Sequence, residues 1–294
     1  MKKIWKFLLN HIRTDFHAGQ YAATVLLLAV CIVLNYSVDF EDRYLEYLGG
    51  FTKYFAYFIF YSIPYFGAIF IFAFFKKRLS IFSDKLFWTK SLFGVAILAL
   101  DASLPYLDDV LNYLSNPRIQ YWLYKVVMNG ISFVTVFIPI LIFYYAYDKH
   151  EGHRYGLSSQ QFDARPYFIM LLIMLPLVIA ASYNPAFIRQ YPMYKVTGAH
   201  LHLGVDEWVT VAIYEIAYGL DFITVEYFFR GFLVLAMAQF LGRSAVITMA
   251  VIYCVLHFGK PAGEAMSSIF GGYILGVVAY ETKSVWGGII VHMG

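Results

Sequence analysis

Cysteine is nearly absent, with two in 294 residues, and that scarcity excludes a disulfide framework. Cys31 and Cys254 both lie in apolar runs, too far apart for any ligand spacing, and each reads as a small buried hydrophobe. Charge is scarce as well. Only 14% of residues are Asp, Glu, Lys or Arg, against 61% hydrophobic, so the chain cannot wrap one ordinary soluble core in a polar surface. No Gly-rich phosphate loop, dinucleotide fingerprint or basic patch interleaved with exposed aromatics occurs, which argues against a nucleic-acid partner. Internal repeats are not evident.

What is abundant is apolar. With a mean hydropathy of +0.63 and 28 Phe and 26 Tyr, the main solvent of this chain is expected to be the lipid bilayer, whose interfaces aromatic rings populate. Crossing roughly 30 Å of hydrocarbon takes about 20 apolar residues. Runs that approach this cover Tyr21 to Val38, Tyr54 to Phe75, Ser91 to Tyr106, Val126 to Tyr147 and Tyr167 to Tyr183, then Trp208 to Leu241, Ala245 to Phe258, Ala262 to Tyr280 and Val285 to the end. The expected fold class is therefore all-α, a polytopic transmembrane helical bundle of about eight to nine membrane segments. Trp208 to Leu241 is long enough to be one tilted or kinked helix, or two segments breaking near Gly219, and one long element is the preferred reading.

Lys and Arg concentrate at the first segment (Lys2, Lys3, Lys6, Arg13), the second loop (Lys76, Lys77, Arg78, Lys85, Lys90) and the fourth (Lys149, Arg154, Arg165), whereas alternate loops carry acids such as Glu41, Asp42 and Glu46. By the positive-inside rule the N-terminus is cytoplasmic. The long run from Tyr21 lacks a small-residue exit site and reads as an uncleaved anchor. No organelle signal is evident, so the expected location is an integral protein of a bacterial inner membrane.

Polar side chains inside apolar segments concentrate late in the chain. The division expected is 1–190 for N-terminal transmembrane helices and 191–294 for a catalytic core. Ionisable groups within hydrocarbon are costly and mark sites by default. Glu226 and Arg230 stand four apart, on one helical face and in the favourable order for an ion pair. They form either a structural pair, the cheapest way to bury both charges, or a base held ionised and oriented by an arginine. His257 and His292 each end an apolar run, where one histidine alone reads as a cap or interfacial side chain. Together with Glu226, however, they make up the two imidazoles and one carboxylate of a catalytic zinc site. Gaps of 31 and 35 residues would deliver the three from separate helices of a bundle. Gly272 and Gly276, one turn apart, would let another helix approach closely. Asp101 reads as snorkelling to an interface, and His200 with His202 as a solvated pair in an extramembrane loop.

Glu226-Tyr227-Phe228-Phe229-Arg230-Gly231, then Tyr253 four residues before His257, then Ser284-Val285-Trp286-Gly287-Gly288 leading to His292, resemble in order, spacing and membrane setting the CAAX-protease and bacteriocin-processing (abortive-infection) family of intramembrane metalloproteases. The resemblance implies a helical membrane core in which a glutamate and a histidine activate water to hydrolyse peptide bonds, with peptide or protein substrates, some prenylated, presented at the bilayer. Zn²⁺ bound by Glu226, His257 and His292 is the cofactor it suggests, with Glu226, Arg230, His257 and His292 as catalytic residues. Two departures stand out. Val225 occupies the place of the family's first glutamate, and Asp221, one turn earlier on the same face, is a candidate substitute. The family's last motif also places a polar residue four positions after the histidine, beyond Gly294, so the core is expected to be truncated. A catalytically silent immunity or scaffold relative, and a proton-coupled transporter using Asp101, Glu215, Asp221 and Glu226, are the rival readings.

Overall fold

The computed structural model describes residues 2–114, 116–158, 162–191 and 193–294. It is an all-α polytopic bundle, with no strand among the described residues. An amphipathic helix α1 (Lys2–Asp15) leads into α2 (Ala18–Val38), α3 (Gly50–Phe75), α4 (Lys85–Ser103) and the short α5 (Leu107–Leu114). A continuous helical stretch α6 (Gln120–Glu151) follows, then α7 (Arg165–Ala181), α8 (Glu207–Glu226), α9 (Ala245–Val255), α10 (Ala262–Thr282) and α11 (Trp286–Met293).

Local chemistry sets the boundaries. The Asp84 carboxylate accepts from the amides of Leu86 (2.8 Å) and Phe87 (3.2 Å) and so starts α4, while Asp39 closes α2 in the left-handed region at φ 55°. Past Glu226 the backbone widens into ten residues of π-helix, Tyr227–Ala236. Its ladder ends near Leu241, and Gly242, at φ 58°, ψ −136°, reverses the chain into α9. Gly219 does not break α8, so the long-element reading is the one the structure bears out.

Among the described residues six continuous stretches are long and apolar enough to cross a membrane by themselves, against about eight to nine apolar segments expected. The difference has two causes. Residues 207–255 run without a helical gap although Gly242 turns them back, and Arg165–Ala181 and Trp286–Met293 fall short of a full crossing. Outward-facing Val25, Leu26, Leu172 and Leu177 are exposed, as lipid contact requires.

At the centre stands α9, buried at every position from Ala245 to Val255. It packs against α3, α10 and the π-helical segment. A helix apolar all round belongs in the middle of a bundle. The α10 glycines make the approach possible: a Cβ at Gly272 would meet Tyr253 Cδ1 at 2.8 Å, and one at Gly276 would meet Met249 Cε at 2.8 Å. The core also crosses residue 190, since Gly94 of α4 packs on Phe232 and Tyr155 on Gly231.

Candidate active site

The switch from α- to π-helical winding falls at Glu226, and π turns inside α-helices recur at functional positions. Glu226 and Arg230 are both completely buried, with Arg230 Nη1 2.9 Å from Glu226 Oε1. The guanidinium also lies 4.3 Å from the centre of the Tyr253 ring, a cation–π contact that helps hold it without a second carboxylate.

A third polar side chain completes the cluster. α11 brings His292 Nδ1 to 2.7 Å from the same Oε1. Glycine makes this possible: a Cβ on Gly288 would overlap the Glu226 carboxylate, and one on Gly287 would overlap the Tyr167 ring. The imidazole stacks on Phe222 (5.6 Å, 10°) and its Nε2 stands 3.0 Å from the Tyr253 hydroxyl. With a carboxylate beside Nδ1, that nitrogen carries the proton and Nε2 accepts from tyrosine. His292 retains 23% side-chain exposure while Glu226 has none, so the cluster meets the molecular surface through the histidine. The close approaches of Glu226, Arg230 and His292 lie off hydrogen-bond alignment, which leaves unused polar capacity buried at this cluster.

His257 is anchored otherwise. Its Nδ1 lies 2.8 Å from the Tyr253 carbonyl oxygen and its ring 4.7 Å from the Tyr253 ring. Among the described residues no three His, Cys, Asp or Glu side chains are grouped so as to hold a metal. The donor types of the expected zinc site are therefore present, with Glu226 and His292 in direct contact and His257 held apart by Tyr253. At 2.7 Å, Glu226 Oε1 and His292 Nδ1 are closer than two ligands sharing a tetrahedral ion at about 2.0–2.1 Å each, so the set as placed does not fit zinc.

Asp221 faces elsewhere: its Oδ1 accepts from Ser132 Oγ of α6 at 2.8 Å. Asp101, expected at an interface, instead accepts from Thr135 Oγ1 at 2.6 Å inside the bundle. Sequence position misleads because α6 lies between the two acids and supplies both hydroxyls. His202 is exposed, and His200 Nδ1 lies 3.2 Å from the Thr197 carbonyl in the short helix Ala199–Leu203.

Residues 207–294 match the family model described as type II CAAX prenyl endopeptidase Rce1-like. The match covers less than a third of the chain, at its C-terminal side, and is consistent with the CAAX-protease family. Neither the comparison with curated proteins nor that with solved structures returned a match. The matched span holds Glu226, Arg230, Tyr253, His257 and His292, the residues that meet in the cluster or ring it.

Outside the matched span, the chain supplies a strap that sequence reasoning missed. Arg154, Tyr155 and Gly156 all take left-handed conformations (φ 45°, 50° and 89°). The Tyr155 carbonyl presses on Gly231, 2.6 Å from where a Cβ would stand. Gly156 O accepts from Val285 N (3.2 Å) and Leu157 O from Trp286 Nε1 (3.0 Å). The strap thus touches the residue after Arg230 and the start of α11, setting the distance between Glu226 and Gly288. It is moored by the Tyr155 hydroxyl donating to Asp148, which also pairs with Lys90. All three side chains are buried. Lys90, counted as a loop cation from sequence, is fully buried within α4; in the sequence only its distance past Asp84, the α4 cap, hinted at this.

On the other side, the α2–α3 connection clamps the turn after His257. Tyr36 donates to Lys260 O (2.7 Å) and Asn35 Nδ2 to Phe258 O (3.4 Å). Glu41 sits against Gly259. Burial, reinforced by the charges of Asp42 and Glu46, pushes its carboxyl up to about 8.

Proposed function

We propose that the protein is an intramembrane endopeptidase of the CAAX-protease type, hydrolysing a peptide bond of a substrate presented at the membrane. The observation that carries the reading is the 2.7 Å approach of His292 to a carboxylate that is itself fully buried and neutralised by Arg230. Glu226 fixes the imidazole tautomer and stabilises the imidazolium. His292 Nε2, once the Tyr253 hydroxyl turns from it towards the developing oxyanion, takes a proton from water as it attacks the scissile carbonyl carbon. The same proton then passes to the leaving amine, so the histidine ends as it began. Arg230 pairs with Glu226 without ever losing its own charge. Tyr253 aligns the imidazole and supplies a hydroxyl near the developing oxyanion. His257 lines the same side through Tyr253. The zinc donor set of Glu226, His257 and His292 is not gathered, and no step is routed through a metal. Prenylated C-terminal peptides are the substrates we propose on the strength of the family match, and we place the N-terminus on the cytoplasmic side of a bacterial inner membrane.

Cleavage of a prenylated and a non-prenylated peptide by the purified full-length chain, with its metal content measured in parallel, tests this. The expected result is turnover by the wild type, lost by at least about 10²-fold in His292→Gln and Glu226→Gln. A folded wild type that is inert on both peptides would instead support a silent scaffold, the reading that Val225 favours. Wild-type turnover in His292→Gln would overturn the role of His292 as the base.

A further inference from the structure

Helix α1 presents three different faces. Ile4, His11 and Asp15 form a buried one. It is fastened by the Asp15 carboxylate, which accepts from Ser244 Oγ at 2.9 Å and pairs with Lys76 Nζ at 3.4 Å. His11 meets the rings of Tyr273 (5.7 Å) and Tyr280 (6.1 Å) edge-on, so α1 braces α10. At 3.6 residues per turn, Trp5, Leu9, Ile12 and Phe16 fall into a second stripe, spaced i, i+4, i+7, i+11. They are 63%, 36%, 43% and 56% exposed. Lys2, Lys6 and Arg13 form a third stripe directly beside the apolar one, all exposed.

Fourteen residues with four cations make a helix too short and too charged to cross hydrocarbon. Yet water is a poor solvent for the Trp5–Phe16 stripe. A helix that shows an apolar stripe flanked by Lys and Arg lies flat in the interface, rings down and cations among headgroups. Two further observations identify the occupant. The only acid on α1 is Asp15, buried and already paired, while the neighbouring turn after α3 adds exposed Lys77 and Arg78. The stripe also continues into the lipid-facing side of α2, where Val25 and Leu26 are exposed.

We propose that α1 is a binding surface for anionic phospholipid headgroups, and that its occupation stabilises the bundle through α10. Each cation at an anionic surface contributes roughly a fivefold gain in partition, screened by salt. The test titrates phosphatidylglycerol into phosphatidylcholine nanodiscs holding the full-length chain, reading the melting temperature and the emission of Trp5 by difference from Trp5→Phe. The expected result is a saturable rise in melting temperature with a blue shift at low salt. In Lys2→Gln/Lys6→Gln/Arg13→Gln the half-saturating fraction rises by at least about fivefold, the contribution of a single cation, whereas Arg118→Gln, in an exposed turn before α6, leaves it unchanged. Because N-terminal cations also set topology, Leu9→Gln/Ile12→Gln, two exposed members of the apolar stripe, provides a second arm that keeps every charge and the Trp5 reporter and is expected to reduce the blue shift and weaken the response. An unchanged half-saturation in the triple variant, or an unchanged response in the apolar one, overturns the proposal. So does equal stabilisation by poly-glutamate in pure phosphatidylcholine, which would assign the surface to an acidic protein.

Discussion

Gly288→Ala is the sharpest perturbation of the cluster because it adds one methyl group at the point where α11 meets Glu226. A Cβ there would overlap two of the three carboxylate atoms, and even the third, Oε1, would stand only 2.9 Å away. The carboxylate cannot swing aside, since Arg230 and His292 hold the same oxygen and the side chain has no exposed surface. α11 must therefore move outward by on the order of 1 Å, a displacement that costs about 10²-fold when it separates reacting groups, or about 2.7 kcal/mol of barrier. Stability falls as well, by about 1–3 kcal/mol for an overfilled site. Alanine's better helix propensity returns at most about 1 kcal/mol of that. Gly271→Ala in α10 is the matched control: nothing lies within 4 Å of its Cβ, so only the propensity gain remains and the melting temperature should rise. Glu226→Asp in the Gly288→Ala background withdraws the carboxylate by one methylene and should recover melting temperature but not turnover. Thermal unfolding in detergent and peptide cleavage read the two effects separately. A Gly288→Ala protein that melts and cleaves like wild type would refute the packing argument outright.

Other outcomes follow from the same contacts. Lys90→Met leaves Asp148 buried without its cation and is expected to cost about 3–5 kcal/mol, while Lys90→Met/Asp148→Leu recovers most of it; strict additivity of the two in unfolding measurements would show the pair to be uncoupled. Tyr253→Phe removes the hydroxyl at His292 Nε2, so kcat should fall with KM nearly unchanged, and a change confined to KM would move Tyr253 to substrate binding. Glu41 holds its proton up to about pH 8 against an ordinary 4.5, so the native state binds a proton that the unfolded chain releases. Stability should then be highest below about pH 4.5, fall as pH rises towards 8 and level off above. Melting curves across that window should flatten in Glu41→Gln, and an undiminished slope there would assign the dependence to another group.

Much of the scaffold is legible in sequence because lipid imposes a length rule on apolar runs: the expected Tyr21 to Val38 and Ala262 to Tyr280 differ from the observed helices by a few residues at one end. Glu226 with Arg230 is legible for a local reason, four residues on one helical face. His292 could be nominated from its apolar surroundings, but its contact with Glu226 spans 66 residues and depends on Gly288, whose role no local pattern announces. Separation of His257 from the other two had no sequence signal, because the Tyr253 carbonyl that holds it is a backbone group. The strap was invisible for a different reason. Tyr155 sits in a polar stretch that reads as solvated loop, and nothing near Lys90 in sequence reveals that Asp148 is its partner. The hydrogen bonds of Asp101 and Asp221 are equally illegible, since their hydroxyl donors come from another helix.

The widened winding of Tyr227–Ala236 also bears on which changes in chain length this fold tolerates. A helix in that state carries surplus backbone, so deleting a residue there would leave a continuous rod that tightens to ordinary pitch. The flanking helices would keep their register because the surplus absorbs the loss, but residues inside the widened turns would shift by about 100° relative to Glu226, swinging Arg230 and the Gly231 seat of the strap away from their partners. An equal deletion within the lipid-exposed middle of α7 changes little beyond reach. Insertions and deletions should therefore accumulate at the periphery of the bundle while the decade of residues after Glu226 keeps its length.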